Sequence, residues 1–197
     1  MILGISTGEE TSVPPVSGFT GLNSLRRKAV LIYSVHETSD NERLMVLPSM
    51  NILCNGNISR WTFVARRRDG GDQYPIFQLW RPNGTERYER VYEPSTDSSR
   101  FMTEANSRLT IAEYVPPSPI SFQAGDILGV YQPGDRRGDR RLSVIHVNVP
   151  DDFGHVHFVG DTDVAEFNTE ELSAFNDFPL VAVNTSKNQM FISGGFC

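Results

Sequence analysis

A chain of 197 residues is the size of one domain, and 39% hydrophobic against 21% charged residues excludes a disordered, collagen-like or coiled-coil protein. The formal net charge of −6, from 18 basic and 24 acidic residues, argues against nucleic acid or an anionic lipid surface as the main partner. Only Lys28 and Lys187 are lysines, so the positive charge is nearly all arginine, the side chain that pairs with carboxylates as a fork and stacks on aromatic rings.

In chain order, Gly8 to Gly21 is rich in Gly, Pro, Ser and Thr without a period, and residues 1–28 read as a leader, linker or loosely ordered segment. The start Met1-Ile2-Leu3-Gly4-Ile5 has neither a basic n-region nor an apolar h-region, so no signal peptide is visible. A single β-sandwich domain is expected over 29–197. Its strands are read from AVLIYSVH, RLMVL, ISRWTFVAR, YPIFQLWR, RYERVY, RLTIAEY, DILGVYQ, RLSVIHVNV, HVHFV and LVAVN, which are short β-favouring runs separated by turn residues.

Alternation supports half-buried strands. Trp61, Phe63 and Ala65 are expected to face the core with Arg60, Thr62 and Arg66 in water. In a later run Ile145, Val147 and Val149 are read as the buried set, and Ser143, His146 and Asn148 as the wet set. Asn55-Gly56, Gly70-Gly71, Asn83-Gly84 and Gly134-Asp135 supply turn chemistry, and Pro116, Pro117 and Pro119 predict an extended crossover. Thr169 to Phe175 is the one helical candidate, with Thr169 as cap and Glu170 and Glu171 in the first turn. The expected fold is therefore all-β: an antiparallel, jelly-roll-like sandwich of about ten short strands with at most one short helix. The longest apolar runs, Ala29 to Val35 and Phe178 to Val183, fall far short of the roughly 18 residues a membrane-spanning helix needs, so no membrane insertion is expected.

Three segments, CNGNISRW from Cys54 to Trp61, FQLWRP from Phe77 to Pro82 and FQAGDILGVYQP from Phe122 to Pro133, are similar to β-sandwich modules of large extracellular and cell-surface proteins of sponges and other invertebrates. Those modules are predicted there often in tandem, with a C-x-G-x-I-x-x-W start, a Q-x-W-R-P strand and an F-x-x-G-D-x-L-G strand. The likeness covers roughly Pro48 to Val149. It implies a structural module of a larger chain, extracellular or at the cell surface, with no assigned reaction. Gly125-Asp126 reads on its own as a turn launching the strand Ile127 to Tyr131.

Chemistry-bearing motifs are few. Arg137-Gly138-Asp139, between two expected strands, resembles the integrin-binding tripeptide of extracellular matrix proteins, in which a carboxylate like that of Asp139 completes a receptor-held divalent cation and Arg137 enters an acidic pocket. Its bland reading is a solvated charged turn. Asn57, Asn83 and Asn184 satisfy the N-glycosylation rule. Cys54 and Cys197 are the two cysteines, read either as a disulfide or as a small buried hydrophobe and a terminal thiol. His155 and His157, two apart, are weak metal candidates that lack the glutamate of a cupin pattern, and Asp151, Asp152, Asp161 and Asp163 lack the spacing of an EF-hand. Tyr74, Trp80, Tyr88 and Tyr92 are weighed as a sugar-stacking row against the commoner role of filling a core.

No nucleophile elbow, zinc-protease helix, phosphate loop or dinucleotide fingerprint is present, so neither enzyme chemistry nor a cofactor is expected. The resulting expectation is a non-enzymatic structural, adhesion or recognition module that presents the Arg137-Gly138-Asp139 loop to a cell-surface receptor; the alternative is a sandwich that binds carbohydrate or another ligand.

Overall fold

The computed structural model describes residues 35–37, 43–47, 52–68, 71–93, 97–103, 109–134, 141–148, 156–159, 164–171, 173–175, 177–185 and 190–191. They form two curled antiparallel sheets. One holds β1 (Val35–Glu37), β3 (Gly56–Arg67), β6 (Phe101–Thr103), β7 (Leu109–Tyr114), β8 (Ile120–Phe122), β10 (Leu142–Asn148), β14 (Asp177–Pro179), β15 (Val181–Thr185) and β16 (Met190–Phe191). The other, in the order β12-β5-β4-β9-β2-β11-β13, holds β2 (Arg43–Leu47), β4 (Ile76–Pro82), β5 (Arg87–Tyr92), β9 (Ile127–Gln132), β11 (Val156–Val159), β12 (Glu166–Asn168) and β13 (Ser173–Phe175). The chain passes repeatedly from one sheet to the other, as a sandwich requires.

All ten expected runs carry a strand. The helical expectation at Thr169 to Phe175 is corrected: Thr169–Glu171 makes one 3-10 turn and Ser173–Phe175 pairs with β11 as β13. Seven residues gain too few intrahelical bonds to resist a free strand edge.

The 12 residues of β3 run long enough to meet four partners. One edge pairs with β8 from Gly56 to Ile58 and then with β7 from Trp61 to Arg66; the other pairs with β15 and then with β10. Pro116, Pro117 and Pro119 therefore do not cross between sheets. They step the chain along the same edge of β3, from Tyr114 opposite Trp61 to Ile120 opposite Ile58.

Between the sheets lies an aromatic core. Trp61 stacks on Phe77 at 5.6 Å and on Tyr92 at 6.1 Å, and Phe63 meets Phe77 at 5.0 Å. Leu47, Leu79, Leu128 and Val130 of the second sheet face Ile58, Ala112, Val144 and Val183 of the first. The second sheet is buried on its other side too, where Leu44, Val46, Trp80, Ile127 and Phe167 form a smaller cluster. Trp80 lies over Gly129, where a Cβ would come within 2.6 Å of its Nε1, and that nitrogen donates to Gln78 Oε1 at 3.2 Å. Side chains expected in water behave likewise: Thr62 and Ser143 are 0% exposed and His146 is buried.

Tyr92 and Tyr114 share a hydroxyl–hydroxyl hydrogen bond of 3.3 Å at the edge of this core. Burial raises both phenols, Tyr92 well above the usual tyrosine range with its bond to Tyr114 adding to the shift. Because the folded values exceed the unfolded one, the associated stability is complete below about pH 10 and is lost as pH rises beyond it. A phenolate absorbance titration is expected to leave at least two of the six tyrosines un-ionised until the chain unfolds. Ionisation of all six near pH 10 in the folded protein would contradict it.

Candidate functional site

The strand ends divide the sandwich into two poles. At one pole lie the beginnings of β3 and β9 and the end of β4; at the other lie the end of β3, the beginnings of β4, β7 and β10, and the end of β9.

The first pole is fastened by the segments Cys54 to Trp61, Phe77 to Pro82 and Phe122 to Pro133. Arg81 of FQLWRP donates through Nε and another guanidinium nitrogen to both carboxylate oxygens of Asp126 in FQAGDILG, at 2.8 and 2.9 Å. Asp126 is 0% exposed and accepts as well from the Gln123 N–H at 2.8 Å. That carboxylate holds the Arg81 guanidinium above its ordinary value, chiefly through the hydrogen bonds. Asn55 of the first segment accepts from the Ala124 N–H at 3.0 Å, and Ile52 exchanges backbone bonds with Asp126 and Gly125. Gly125 has φ +92° and lies close to Pro82, as the expected turn requires. The Asn55-Gly56 expectation is corrected: Gly56 begins β3 with the Phe122 ring where a Cβ would stand, and it is not a positive-φ turn residue. These hydrogen bonds tie the three segments to one another.

The second pole is open. A cleft of about 190 Å³ is lined by Arg67, Tyr74, Phe101, Thr103, Arg141 and Leu142. Arg67 and Thr103 occupy strand positions whose alternation carries Ala65 and Phe101 into the core, so the cleft is the mouth of the space between the sheets. Tyr74 and Phe101 stack at 4.6 Å, and Leu142 lies buried beside them. Arg141 is fixed by its backbone N–H to the Gln73 carbonyl at 2.7 Å and by Nη1 to the Arg68 carbonyl at 3.1 Å. Among the described residues, no carboxylate lines the cleft and none forms an ion pair with Arg67.

The sequence-derived candidates fall unevenly on this frame. Arg137, Gly138 and Asp139 lie outside the described residues, as do Cys197, His155 and the four aspartates from Asp151 to Asp163. The sequence joins Arg137-Gly138-Asp139 between Gln132, the last residue of β9, and Leu142, the first of β10, both at the open pole. His157 sits in β11 opposite Val46 and Ala174. Cys54 is half-buried against the core.

Asn57 accepts from the Ser121 hydroxyl at 2.9 Å, and Asn184 lies in β15 with its carbonyl bonded to the Ser59 hydroxyl. Asn83 is exposed on the β4–β5 hairpin beside Gly84, whose φ is +87° as the turn chemistry predicts. All three asparagines pair with, or follow, strand positions at or near the fastened pole.

The aromatic row is not assembled: Trp80 and Tyr88 belong to the cluster around Phe167, Tyr92 stacks on Trp61, and Tyr74 alone lines the cleft. No group of three or more His, Cys, Asp or Glu able to hold a metal occurs among the described residues, and no described helix is long and apolar enough to cross a membrane. Spacing carries no signal for the cleft, because Arg67, Phe101 and Arg141 are separated by 34 and 40 positions and come together only through strand pairing.

No family model matches the chain, and neither a curated protein nor a solved structure matches it.

Proposed function

We propose that the chain is a non-enzymatic recognition module acting outside the cell, with its ligand-contacting surface at the open pole. The carrying observation is the arginine-lined cleft at the mouth of the sandwich. Two features support the same pole. The sequence strings Arg137-Gly138-Asp139 between strands that end and begin there. Glycans on Asn57, Asn83 or Asn184 would stand toward the other pole and leave this one clear. The similarity to extracellular β-sandwich modules fits a scaffold whose fastened end is structural and whose loops do the binding.

In the adhesion form of this reading, Asp139 completes a receptor-held cation. Cells are expected to attach to a surface coated with the full chain in a divalent-cation-dependent manner. An Asp139→Glu variant is expected to lower attachment at least about tenfold, the effect of about 1.4 kcal/mol in binding. Equal attachment by the two proteins, or none by either, removes the tripeptide from the account.

The second reading, a carbohydrate-binding sandwich, is favoured by the cleft itself. Its polar mouth and aromatic wall are the two surfaces a sugar ring uses.

A further inference from the structure

We infer that Asn83 is a site of spontaneous covalent modification, at which the Gly84 nitrogen closes on the Asn83 side chain to form a cyclic imide that water opens to aspartate and isoaspartate. The step is intramolecular and its only co-reactant is water. The Gly84 nitrogen bonds to Cγ of Asn83 and loses its proton, while Nδ2 leaves with that proton as ammonia. One water then opens the imide. Cleavage between Cγ and the Gly84 nitrogen gives aspartate. Cleavage between the Asn83 carbonyl carbon and that nitrogen gives isoaspartate, with the main chain rerouted through the side chain.

The sequence supplies two pairs of the type that reacts in this way, Asn55-Gly56 and Asn83-Gly84. In each, the second residue has no Cβ to obstruct ring closure. The fold treats them oppositely. Asn55 Oδ1 accepts from the Ala124 N–H at 3.0 Å, and Gly56 begins β3 opposite Phe122, whose ring packs against it. Closure there would break the side-chain bond and draw Gly56 out of the ladder.

Asn83 and Gly84 lie instead on the β4–β5 hairpin, where Pro82 to Arg87 are all exposed. The attacking Gly84 N–H makes no hydrogen bond among the described residues. Outside its chain neighbours, no atom lies within 4 Å of the place a Gly84 Cβ would take, and the φ of +87° is one that glycine adopts without steric cost. The Asn83 carboxamide donates through Nδ2 to Glu89 Oε2 at 3.4 Å, beyond the roughly 2.7–3.2 Å of a well-formed bond. The Asn83 N–H is bonded to the Arg87 carbonyl at 2.8 Å, but the torsion that must turn lies on the other side of the residue.

The product alters the hairpin. Aspartate sets a carboxylate where an amide had donated to Glu89, so attraction becomes repulsion between like charges. Isoaspartate adds one carbon to the main chain between β4 and β5. Both remove the nitrogen that a glycan on the Asn83-Gly84-Thr85 acceptor would need. The hairpin follows the end of β4, at the pole away from the cleft.

The test uses the full chain made in bacterial cells, incubated at neutral and mildly alkaline pH. Peptide mass spectrometry with an isoaspartate-specific methylation assay follows both Asn-Gly pairs in the same molecules. Asn83 is expected to give both products, faster as pH rises, and at least about tenfold faster than Asn55. In guanidinium chloride the two pairs are expected to react at similar rates, because the protection of Asn55 comes from the fold. Gly84→Ala, which restores the obstructing Cβ, is expected to slow Asn83 at least about tenfold with an unchanged near-UV spectrum.

Equal rates at Asn55 and Asn83 in the folded chain overturn the inference, as does an Asn83 that reacts only after unfolding. Aspartate without isoaspartate at Asn83, or an unchanged rate in Gly84→Ala, overturns attack by the Gly84 nitrogen.

Discussion

Replacing Arg81 by methionine is expected to destabilise the chain by about 3–5 kcal/mol, because it strands a carboxylate in the interior without its cation. Asp126 is fully buried, and without Arg81 it keeps only the Gln123 N–H among the bonds described above. The reverse change is milder. Asp126→Asn leaves a guanidinium that is 30% exposed and able to recover solvent, and it retains an oxygen for Gln123, so a loss of about 1.5–3 kcal/mol is expected. Urea unfolding of the two variants checks both magnitude and order. A loss below about 1 kcal/mol for Arg81→Met, in the range of an exposed ion pair, would mean that the fastened pole is not what holds these three segments together.

Trp61→Ala is expected to cost about 3–5 kcal/mol, the usual range for deleting a large buried aromatic. Trp61 is stacked between Phe77 and Tyr92 and touches Tyr114 at 5.9 Å, so its removal leaves a space bounded by three rings from both sheets. Rings held by backbone ladders collapse poorly into such a space. Trp61→Phe separates volume from polarity. The indole Nε1 is buried with no hydrogen-bond partner among the described residues, so phenylalanine sheds an unsatisfied donor while keeping most of the stack. Its cost is expected to be about 1–2 kcal/mol, clearly below that of alanine. Thermal or urea unfolding decides this, and equal losses for the two variants would contradict the picture of a packed, apolar slot.

Strand identity was legible from the residues because RLMVL and RYERVY coincide with β2 and β5, and the alternating Trp61, Phe63 and Ala65 lie in the inter-sheet core as read. What alternation did not reveal is the second side. Thr62, Gln78, Ser143 and His146 are buried although polar, since the alternation marks which side meets the other sheet and not which side meets water. β6, β8, β12, β13 and β14 were missed because three residues are too few to show a period; their strand character comes from the neighbour they pair with. Thr169 to Phe175 shows the same effect, where a local cap signal lost to edge pairing.

The site was less legible than the scaffold. The three segments quoted for their likeness were readable as structural, and they do converge, through Arg81, Asp126, Asn55 and Gly125, on one pole. Their convergence could not be read from spacing, since Arg81 and Asp126 are 45 positions apart. The cleft was invisible for the same reason. Arg67 sits in a run of three arginines and Arg141 beside Arg140, and nothing local distinguishes the members that line a shared space from their neighbours.

The central claim is that one pole holds the fold and the other meets the ligand. Hydrogen exchange of the full chain with and without saturating monosaccharide, glucose, galactose and glucuronate in turn, tests it most directly. The account predicts added protection confined to the ends of β3 and β6 and the beginning of β10, around Arg67, Thr103 and Arg141, with no change at Asn55, Arg81 or Asp126. Protection at the fastened pole, or over the Trp80 and Phe167 side of the second sheet, would contradict it.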